Sequence, residues 1–452
     1  MAVKNWFTVS TLGKRTVSSP LKLGNHPGDT TYDYLNDSDK VLYDITLKGF
    51  NLYRAKHVEP PCFEMAGPRE HIYFDPTKIR VAIVTCGGLC PGLNNVIRAI
   101  VMESYHRYGA KSIYGIRYGY HGFLPQEGYE PIMLTPDLVR DIHLEGGSIL
   151  GSSRGGSDQV EIVNALERLN INILFTIGGD GTQRGAHAIY QEAQKRKLKL
   201  SVVGIPKTID NDIVYVDRSF GFETAFSIAV QAIEAASTEA QGAKNGIGIV
   251  KLMGRQSGYI AANAALAVNL VNFVLIPEVK FDLSGENGLL EHLEKRLRKR
   301  HHAVIVVAEG VGQEWFVADR RNVRTDASGN KKLADIGIFL KDMISRHFKD
   351  IGLPAEIKYI DPSYIIRSAP TVPNDAIFCA QLGQNAVHAG MAGKTDVLIG
   401  RCNGIFTHIP LEAIINKKNF ISPESTLWWN VLETTGQPMN MTNPAGTKKK
   451  PK

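Results

Sequence analysis

Two short stretches carry carboxylates where phosphate chemistry would use them. Gly178-Gly-Asp-Gly-Thr182 places Asp180 among glycines, and Pro206-Lys-Thr-Ile-Asp-Asn-Asp212 places Asp210 and Asp212 beside Lys207 and Thr208. Glycines at 178, 179 and 181 let the backbone turn sharply and approach a ligand, and the free N–H groups of a helix that follows favour an anion. A carboxylate among phosphate-binding amides makes best sense with a cation such as Mg2+ between it and the phosphates. In the second stretch, paired acids beside a lysine and a threonine offer a general base, a phosphate contact and a further metal contact. Phosphoryl transfer needs little beyond positioning, charge neutralisation and a base on the attacking hydroxyl. Each stretch also has a plain reading: a tight turn with Asp180 capping a helix, and an Asx-rich turn of solvated acids. Arg255 and Arg367 each suit bidentate phosphate binding, although lone arginines usually serve solubility, and Arg154 is carried on the long glycine- and serine-rich loop Gly146–Gly156. Glu309, at the end of an apolar run, suits sugar hydroxyls or an ordinary surface role.

The elements that position these residues are legible as apolar runs. Ile171–Ile177 is bulky on both faces of the alternation, as in a strand buried on both sides of a parallel sheet, and Thr182–Tyr190 continues as a helix. Ile79–Thr85 is a second such strand, followed by the glycine turn Cys86–Asn94 and a helix over Asn94–Glu103. A strand and loop are predicted over Ile113–Gly122 and further strands at Ser201–Ile205, Gly246–Val250, Phe273–Ile276, Ala303–Ala308, Glu356–Ile360 and Asp396–Gly400, with helices at Phe226–Ala240 and Tyr259–Leu270. Strand, glycine turn and helix occurring twice imply an α/β chain of two parallel-sheet, Rossmann-like domains with ligands at the carboxyl edges of the strands. Gly88, Arg154, Asp180, Asp210, Arg255 and Glu309 all fall in strand-end loops, a bias that scattered surface residues would not show. Gly87-Gly-Leu-Cys-Pro-Gly92 is neither G-x-G-x-x-G nor a Walker A motif, which leaves nicotinamide binding and a P-loop ATPase unsupported.

The expected organisation is an N-terminal extension over 1–78 that packs on the body, an α/β domain over 79–213, a second over 214–400 with the chain crossing back to the first near its end, and a C-terminal extension over 401–452. The 452 residues are 43% hydrophobic and 21% charged, the composition of a globular protein of two or three domains. No apolar run approaches ~20 residues, which predicts no membrane span, and the first residues lack a secretory signal pattern. Five cysteines in a chain of this length predict free thiols and a reducing, cytoplasmic setting. Cys86 and Cys90 lack a second Cys/His pair and read as small buried loop residues. The net charge of +7 is dispersed apart from Lys295–His302 and the tail Lys448–Lys452. The first of these clusters shares a helix with Leu289, Leu290, Leu293 and Leu297 and reads as its solvated face. No nucleic-acid surface is implied, and a mildly basic balance suits polyanionic phosphate substrates.

Taken together and in order, the glycine turn, Gly151-Ser-Ser-Arg-Gly155, GGDGT, PKTIDND, Met253-Gly-Arg255, Glu309 and Tyr364-Ile-Ile-Arg367 resemble the 6-phosphofructokinase family over about residues 80–400. The longer ATP-dependent enzymes of plants and trypanosomatids are the more similar form, through KYIDPSYIIR (358–367) and ASGNKK (327–332). The resemblance implies the phosphofructokinase fold and an allosteric, homo-oligomeric glycolytic kinase, a dimer or tetramer, taking ATP with Mg2+ and fructose 6-phosphate. It implies Asp210 as the base on the C1 hydroxyl, with Thr208 and Ile209 in the same substrate loop, and Asp180 as the Mg2+ ligand. Gly88, Tyr120, Arg154, Gly155, Gly179, Gly181 and Thr182 would line the nucleotide site. Met253, Gly254, Arg255, Glu309 and Tyr364, Ile365, Ile366, Arg367 would hold the sugar phosphate, with Arg255 also stabilising the phosphoryl group in transfer. Lys207 stands where pyrophosphate-dependent relatives carry lysine, whereas Gly181 is the residue of ATP users and pyrophosphate users commonly place aspartate there. Gly246 takes the position of a cross-subunit arginine of the family, and Tyr364 that of a histidine. The alternatives are a pyrophosphate-dependent enzyme, a non-catalytic sugar-phosphate-sensing subunit and, more distantly, the lipid and NAD kinases that share GGDGT without PKTIDND.

Overall fold

The computed structural model describes residues 7–25, 28–29, 32–155, 158–316 and 332–444. The ASGNKK stretch up to residue 331, most of the polar connection over 320–332 and the basic tail lie outside them. The strands of the two larger sheets are, along the chain, β1 (Lys40–Leu42), β2 (Cys62–Met65), β3 (Arg80–Thr85), β4 (Ser112–Ile116), β5 (Ile132–Met133), β6 (Ile173–Gly178), β7 (Ser201–Pro206), β8 (Gly246–Leu252), β9 (Phe273–Leu275), β10 (His302–Ala308), β11 (Ile357–Ile360), β12 (Val397–Cys402) and β13 (Ile405–Pro410). The helices that bear on the site are α1 (Leu93–Met102), α2 (Asp180–Lys195), α3 (Phe222–Gly242), α4 (Tyr259–Val268), α5 (Ile336–Asp350), α6 (Ser363–Ser368) and α7 (Pro373–Met391). The chain divides into two compact units. The first is the chain up to Thr208 with Ile213–Gly221 and Ser368–Lys418; the second is Ile209–Asp212, Phe222–Arg367 and the chain from Asn419.

The first unit is built on a nine-stranded sheet of order β1-β2-β13-β12-β7-β6-β3-β4-β5. Its middle, from β12 to β4, is parallel, and β6 and β7 are buried at every residue, as their two-sided apolar runs require. Around this parallel centre, β5 on one side and β13, β2 and β1 on the other add antiparallel edges. Helix α7 packs on α1 at a glycine: a Cβ on Gly383 would sit 2.6 Å from the Ala99 Cβ.

The segments expected as extensions pack on the body by adding strands to it. β1 and β2, from the first 78 residues, and β13, from beyond residue 400, are members of this sheet. Glu64 of β2 explains how a charge enters the layer. It is paired with Arg69 Nη2 at 2.8 Å, Lys394 Nζ at 2.7 Å and His408 Nδ1 at 2.9 Å, each of these partners almost fully buried. Burial alone would push its carboxyl up, but His408 and Lys394 outweigh that and hold it at about 2. The second domain likewise stops at Arg367, not at residue 400, because Ser368–Lys418 returns to the first unit.

The second unit holds a four-stranded, wholly parallel sheet of order β9-β10-β8-β11. Helix α3 lies so close on β8 that a Cβ on Gly246 would fall 2.1 Å from the Ala240 carbonyl oxygen and one on Gly248 2.6 Å from that of Ala236. No arginine fits at 246 in this packing. The basic cluster is carried as expected, with Leu289, Leu290, Leu293 and Leu297 buried and Arg298, Lys299 and Arg300 in the last helical turn, where cations suit the macrodipole.

Candidate functional site

In the first unit, register sets three strand ends side by side, Thr85 pairing with Ile177 and Gly178 with Pro206. The turns that follow therefore leave one edge of the sheet. Cys86 N–H donates to the Ile177 carbonyl (3.0 Å) and Lys207 N–H to that of Gly178 (3.1 Å), which carries the ladder one residue past the strands. Gly87 then takes φ +90°, open to glycine at little cost. The 151–155 stretch is fastened across this turn: Ser152 Oγ donates to the Gly87 carbonyl at 2.6 Å, and Gly87 N–H to that of Ser153 at 2.9 Å. Arg154 is exposed, with Nη2 only 2.9 Å from where a Gly88 Cβ would be, and Gly155 follows, also exposed. Lys207 is buried, and its Nζ donates to the Gly88 carbonyl.

Helix α2 starts at Asp180. Gly179 is its extended N-cap and supplies no side-chain cap, so Asp180 does not take the capping role that the plain reading gave it. Its carboxylate is 32% exposed and lies 3.4 Å from Arg184 Nη2. Gly181 is exposed, and a Cβ there would meet nothing nearer than Arg184 Nη2 at 4.0 Å. Tyr120 and Thr182 are different: both are buried, and the Tyr120 hydroxyl donates to the Thr182 carbonyl at 2.8 Å. The Tyr120 ring fills the space that a Gly185 Cβ would take, 2.6 Å from its edge. Thr182 Oγ1 meets the Cys86 thiol, which burial pushes up to about 12. These side chains stand under the turn and fix it.

The chain enters the second unit at Ile209, whose side chain is buried. Asp210 and Asp212 are held by their backbones, the Asp210 carbonyl accepting from Ser257 Oγ at 2.8 Å and that of Asp212 from Asn419 N–H at 2.9 Å. Ser257 belongs to the loop that carries Met253, Gly254 and Arg255, so Asp210 is tied to that loop. Leu252 registers with Ala308 and Val250 with Ile360, which brings Met253, Glu309 and Asp361 out at neighbouring strand ends. Strand β8 thus runs past Val250, where the sequence reading ended it. Gly310 N–H donates to the Gly254 carbonyl (3.1 Å), and a Gly310 Cβ would lie 1.9 Å from the Arg255 carbonyl oxygen. Burial pushes the Glu309 carboxyl up, while Arg255 and Lys251 pull it back. In α6, Tyr364 is 74% exposed and Ile365 65%, with the Arg367 guanidinium 4.6 Å over the Tyr364 ring. Ile366 is core, so its side chain does not face solvent.

Comparison with known proteins accounts for this arrangement. The phosphofructokinase family model matches residues 80–390. A Borreliella burgdorferi protein named ATP-dependent 6-phosphofructokinase is 48% identical over 443 residues, 97% of this chain and 98% of its own length. The chain belongs to the phosphofructokinase family. An Amycolatopsis methanolica protein of the same name is 46% identical over 95% of this chain and 94% of its own, and the chloroplastic ATP-dependent 6-phosphofructokinase 5 of Arabidopsis thaliana is 45% identical over 92% and 78%. Among solved structures, the pyrophosphate-dependent phosphofructokinase of Marinobacter aquaeolei superposes with a TM-score of 0.64 at 20% identity, covering 79% of this chain and 91% of its own. Phosphofructokinase from Saccharomyces cerevisiae gives 0.60 at 23%, over 79% and 48%. At those identities the likeness is one of fold.

The residues present fit the Mg2+ and phosphates of such a kinase. Among the described residues no group of three or more His, Cys, Asp or Glu is arranged to hold a metal. A part-exposed Asp180 beside an uncapped helix start offers one carboxylate, and Mg2+ at a nucleotide takes its other ligands from phosphates and water. Sequence reasoning gave no role to Lys251, Asp335, Tyr359 or Asp361, which form a linked group behind Arg255 and α6. The available signal was a lysine inside the apolar run of β8.

Proposed function

We propose that this protein transfers the γ-phosphoryl group of Mg-ATP to the C1 hydroxyl of fructose 6-phosphate, giving fructose 1,6-bisphosphate and ADP, by direct in-line displacement. The observation that carries the reading is Asp210, whose backbone carbonyl is fastened by Ser257 to the loop that bears Arg255, in a chain that also presents Asp180 at an uncapped helix start. Asp210 takes the hydroxyl proton as the oxygen–phosphorus bond forms and the bond to ADP breaks; Thr208 and Ile209 shape the same loop. Arg255 neutralises charge on the transferring group. Asp180 would hold Mg2+ when it is bound, and the ion would supply further charge neutralisation. Gly88, Arg154, Gly155, Gly179 and Gly181 receive the nucleotide, and Tyr120 and Thr182 support that turn. Met253, Gly254, Glu309, Tyr364, Ile365 and Arg367 hold the sugar phosphate, with Ile366 contributing its backbone. A homo-oligomeric assembly, dimer or tetramer, and a cytoplasmic setting belong to the same reading; among the described residues no helix is long and apolar enough to cross a membrane.

The test assays the purified protein on fructose 6-phosphate with ATP and with pyrophosphate as alternative donors. Turnover with ATP is expected, and turnover confined to pyrophosphate overturns the donor. Asp210→Asn should lower kcat by roughly three or more orders of magnitude with nucleotide affinity retained; near-normal kcat removes Asp210 as the base.

A further inference from the structure

Strand β8 reads Gly-Ile-Gly-Ile-Val-Lys-Leu, and its one charged residue, Lys251, has a side chain only 12% exposed. An ammonium in such a place needs partners. Lys251 Nζ lies 2.8 Å from Asp335 Oδ2 and 2.8 Å from Asp361 Oδ2, and each of these carboxylates opens a different helix. Asp335 is the N-cap of α5, accepting the N–H of Gly337 (2.9 Å) and Ile338 (3.1 Å), and it takes the Tyr359 hydroxyl at 2.9 and 3.1 Å. Asp361 Oδ1 takes the N–H of Ser363 at 3.1 Å together with the Ser363 hydroxyl, closing the turn into α6. One ammonium therefore joins the ends of β8 and β11 to the first turns of α5 and α6.

The surrounding links lead to the sugar-phosphate residues. Met253 follows Lys251 by two positions, and α6 carries Tyr364 and Arg367. Gln313 Nε2 donates to the carbonyls of Glu309 (2.9 Å) and Ala334 (3.1 Å), while its Oε1 accepts from Ala334 N–H (3.0 Å). Glu309 is thereby fastened to the residue before Asp335. Burial pushes the Lys251 ammonium down, but Asp335, Asp361 and Tyr359 outweigh it and hold it above the ordinary lysine range, so the hub is charged at any working pH.

We propose that Lys251 is a positioning residue for sugar-phosphate recognition, setting the Arg255 loop and α6 in one arrangement through Asp335 and Asp361. The proposal rests on the phosphofructokinase reading above. With the ammonium removed, the Asp335 and Asp361 carboxylates lose their shared cation, and Asp361 acts without its offset on Glu309, which the reading above places at the sugar phosphate. Like charges then oppose both the start of α6 and the incoming substrate.

The experiment measures KM for fructose 6-phosphate and for ATP separately, with thermal melts, in wild type, Lys251→Met, Lys251→Arg, Asp361→Asn and the Lys251→Met/Asp361→Asn double variant. Lys251→Met should raise the sugar KM by about tenfold or more and leave the ATP KM within about twofold, the pattern of a lost sugar-side arrangement. Lys251→Arg should recover part of the loss, and the double variant should bind the sugar better than Lys251→Met, because the orphaned carboxylate is gone. A sugar KM within about twofold of wild type, or an equal rise in both KM values, overturns the proposal. If Lys251→Met fails to fold, Asp361→Asn decides by the same split. A wild type that does not turn over fructose 6-phosphate removes the phosphofructokinase reading and this proposal with it; an active wild type with an unmoved Lys251→Met removes this proposal alone.

Discussion

Replacing Gly181 by aspartate tests how the open side of the α2 start is used. The position is exposed, an added Cβ meets nothing nearer than 4.0 Å, and the backbone is outside the left-handed region, so the side chain enters without strain. An acid in the first turn of a helix is favourable by about 0.3–1 kcal/mol; the melting temperature should hold or rise slightly. The effect on ATP should be of opposite sign. Two like unit charges about 4 Å apart near a protein surface repel by about 4 kcal/mol, and screening by Mg2+ and salt leaves roughly half of that. A loss of about 2 kcal/mol in transition-state binding is roughly 30-fold in kcat/KM for ATP. The assay couples ADP release at saturating fructose 6-phosphate, beside a urea titration of the same variant. A fall of less than about threefold at unchanged stability would refute the idea that the space beside Gly181 receives the nucleotide's α-phosphate.

Three further outcomes follow from other contacts. Tyr120→Phe leaves the buried Thr182 carbonyl without its 2.8 Å donor, which should cost about 1–2 kcal/mol in urea unfolding and raise the ATP KM several-fold; no change in either would deny Tyr120 a supporting role. Gly310→Ala places a Cβ 1.9 Å from the Arg255 carbonyl oxygen, and the backbone shift should cost about 1–3 kcal/mol and raise the sugar KM selectively, with unchanged kinetics counting against the tight apposition of these loops. Acid should destabilise the first unit in two stages. Burial depresses His408 to about 4 and His388 to about 3, so the unfolded chain takes up protons first and stability falls as pH drops below about 6.5. Glu64, held at about 2 with burial outweighed by His408 and Lys394, loses its contribution as pH falls from about 4.5 towards that value. A urea midpoint that is flat between pH 7 and 4 would contradict the depressed histidines.

What the sequence made legible was set by local chemistry. β6 and β10 are unbroken bulky runs ending in glycines or an acid, and such runs declare both the strand and the loop that follows it. β2 did not declare itself, because Cys-Phe-Glu-Met carries a charge in a position that turns out to be buried. That charge is tolerated because, besides the nearby Arg69, Lys394, 330 residues further on, and His408, 344 residues on, come to meet it. The same physics hid Lys251, whose partner Asp335 is 84 residues away. Within the candidate site the polar residue types were legible, but their direction was not. The resemblance implied ligand-site roles for Tyr120, Thr182 and Ile366, and the side chains of all three are buried.

Lys207 illustrates how direction changes a chemical argument. As a residue type next to Thr208 it pulls the donor towards pyrophosphate, against Gly181. Its side chain is 6% exposed, and the ammonium donates to the Gly88 carbonyl across the neighbouring turn, while a Gly87 Cβ would lie 3.1 Å from the same Nζ. A lysine so placed joins the end of β7 to the glycine turn after β3 and sets a cation beside the turn that the proposed function gives to the phosphates. That service is the same whether the donor is a nucleoside triphosphate or pyrophosphate, since both present phosphoryl oxygens there. Gly181 differs in kind: the choice between no side chain and a carboxylate decides whether a bulky, charged α-phosphate with its nucleoside can follow. Where the two residues disagree, the steric and electrostatic selector outweighs the shared brace, and the donor reading goes with Gly181.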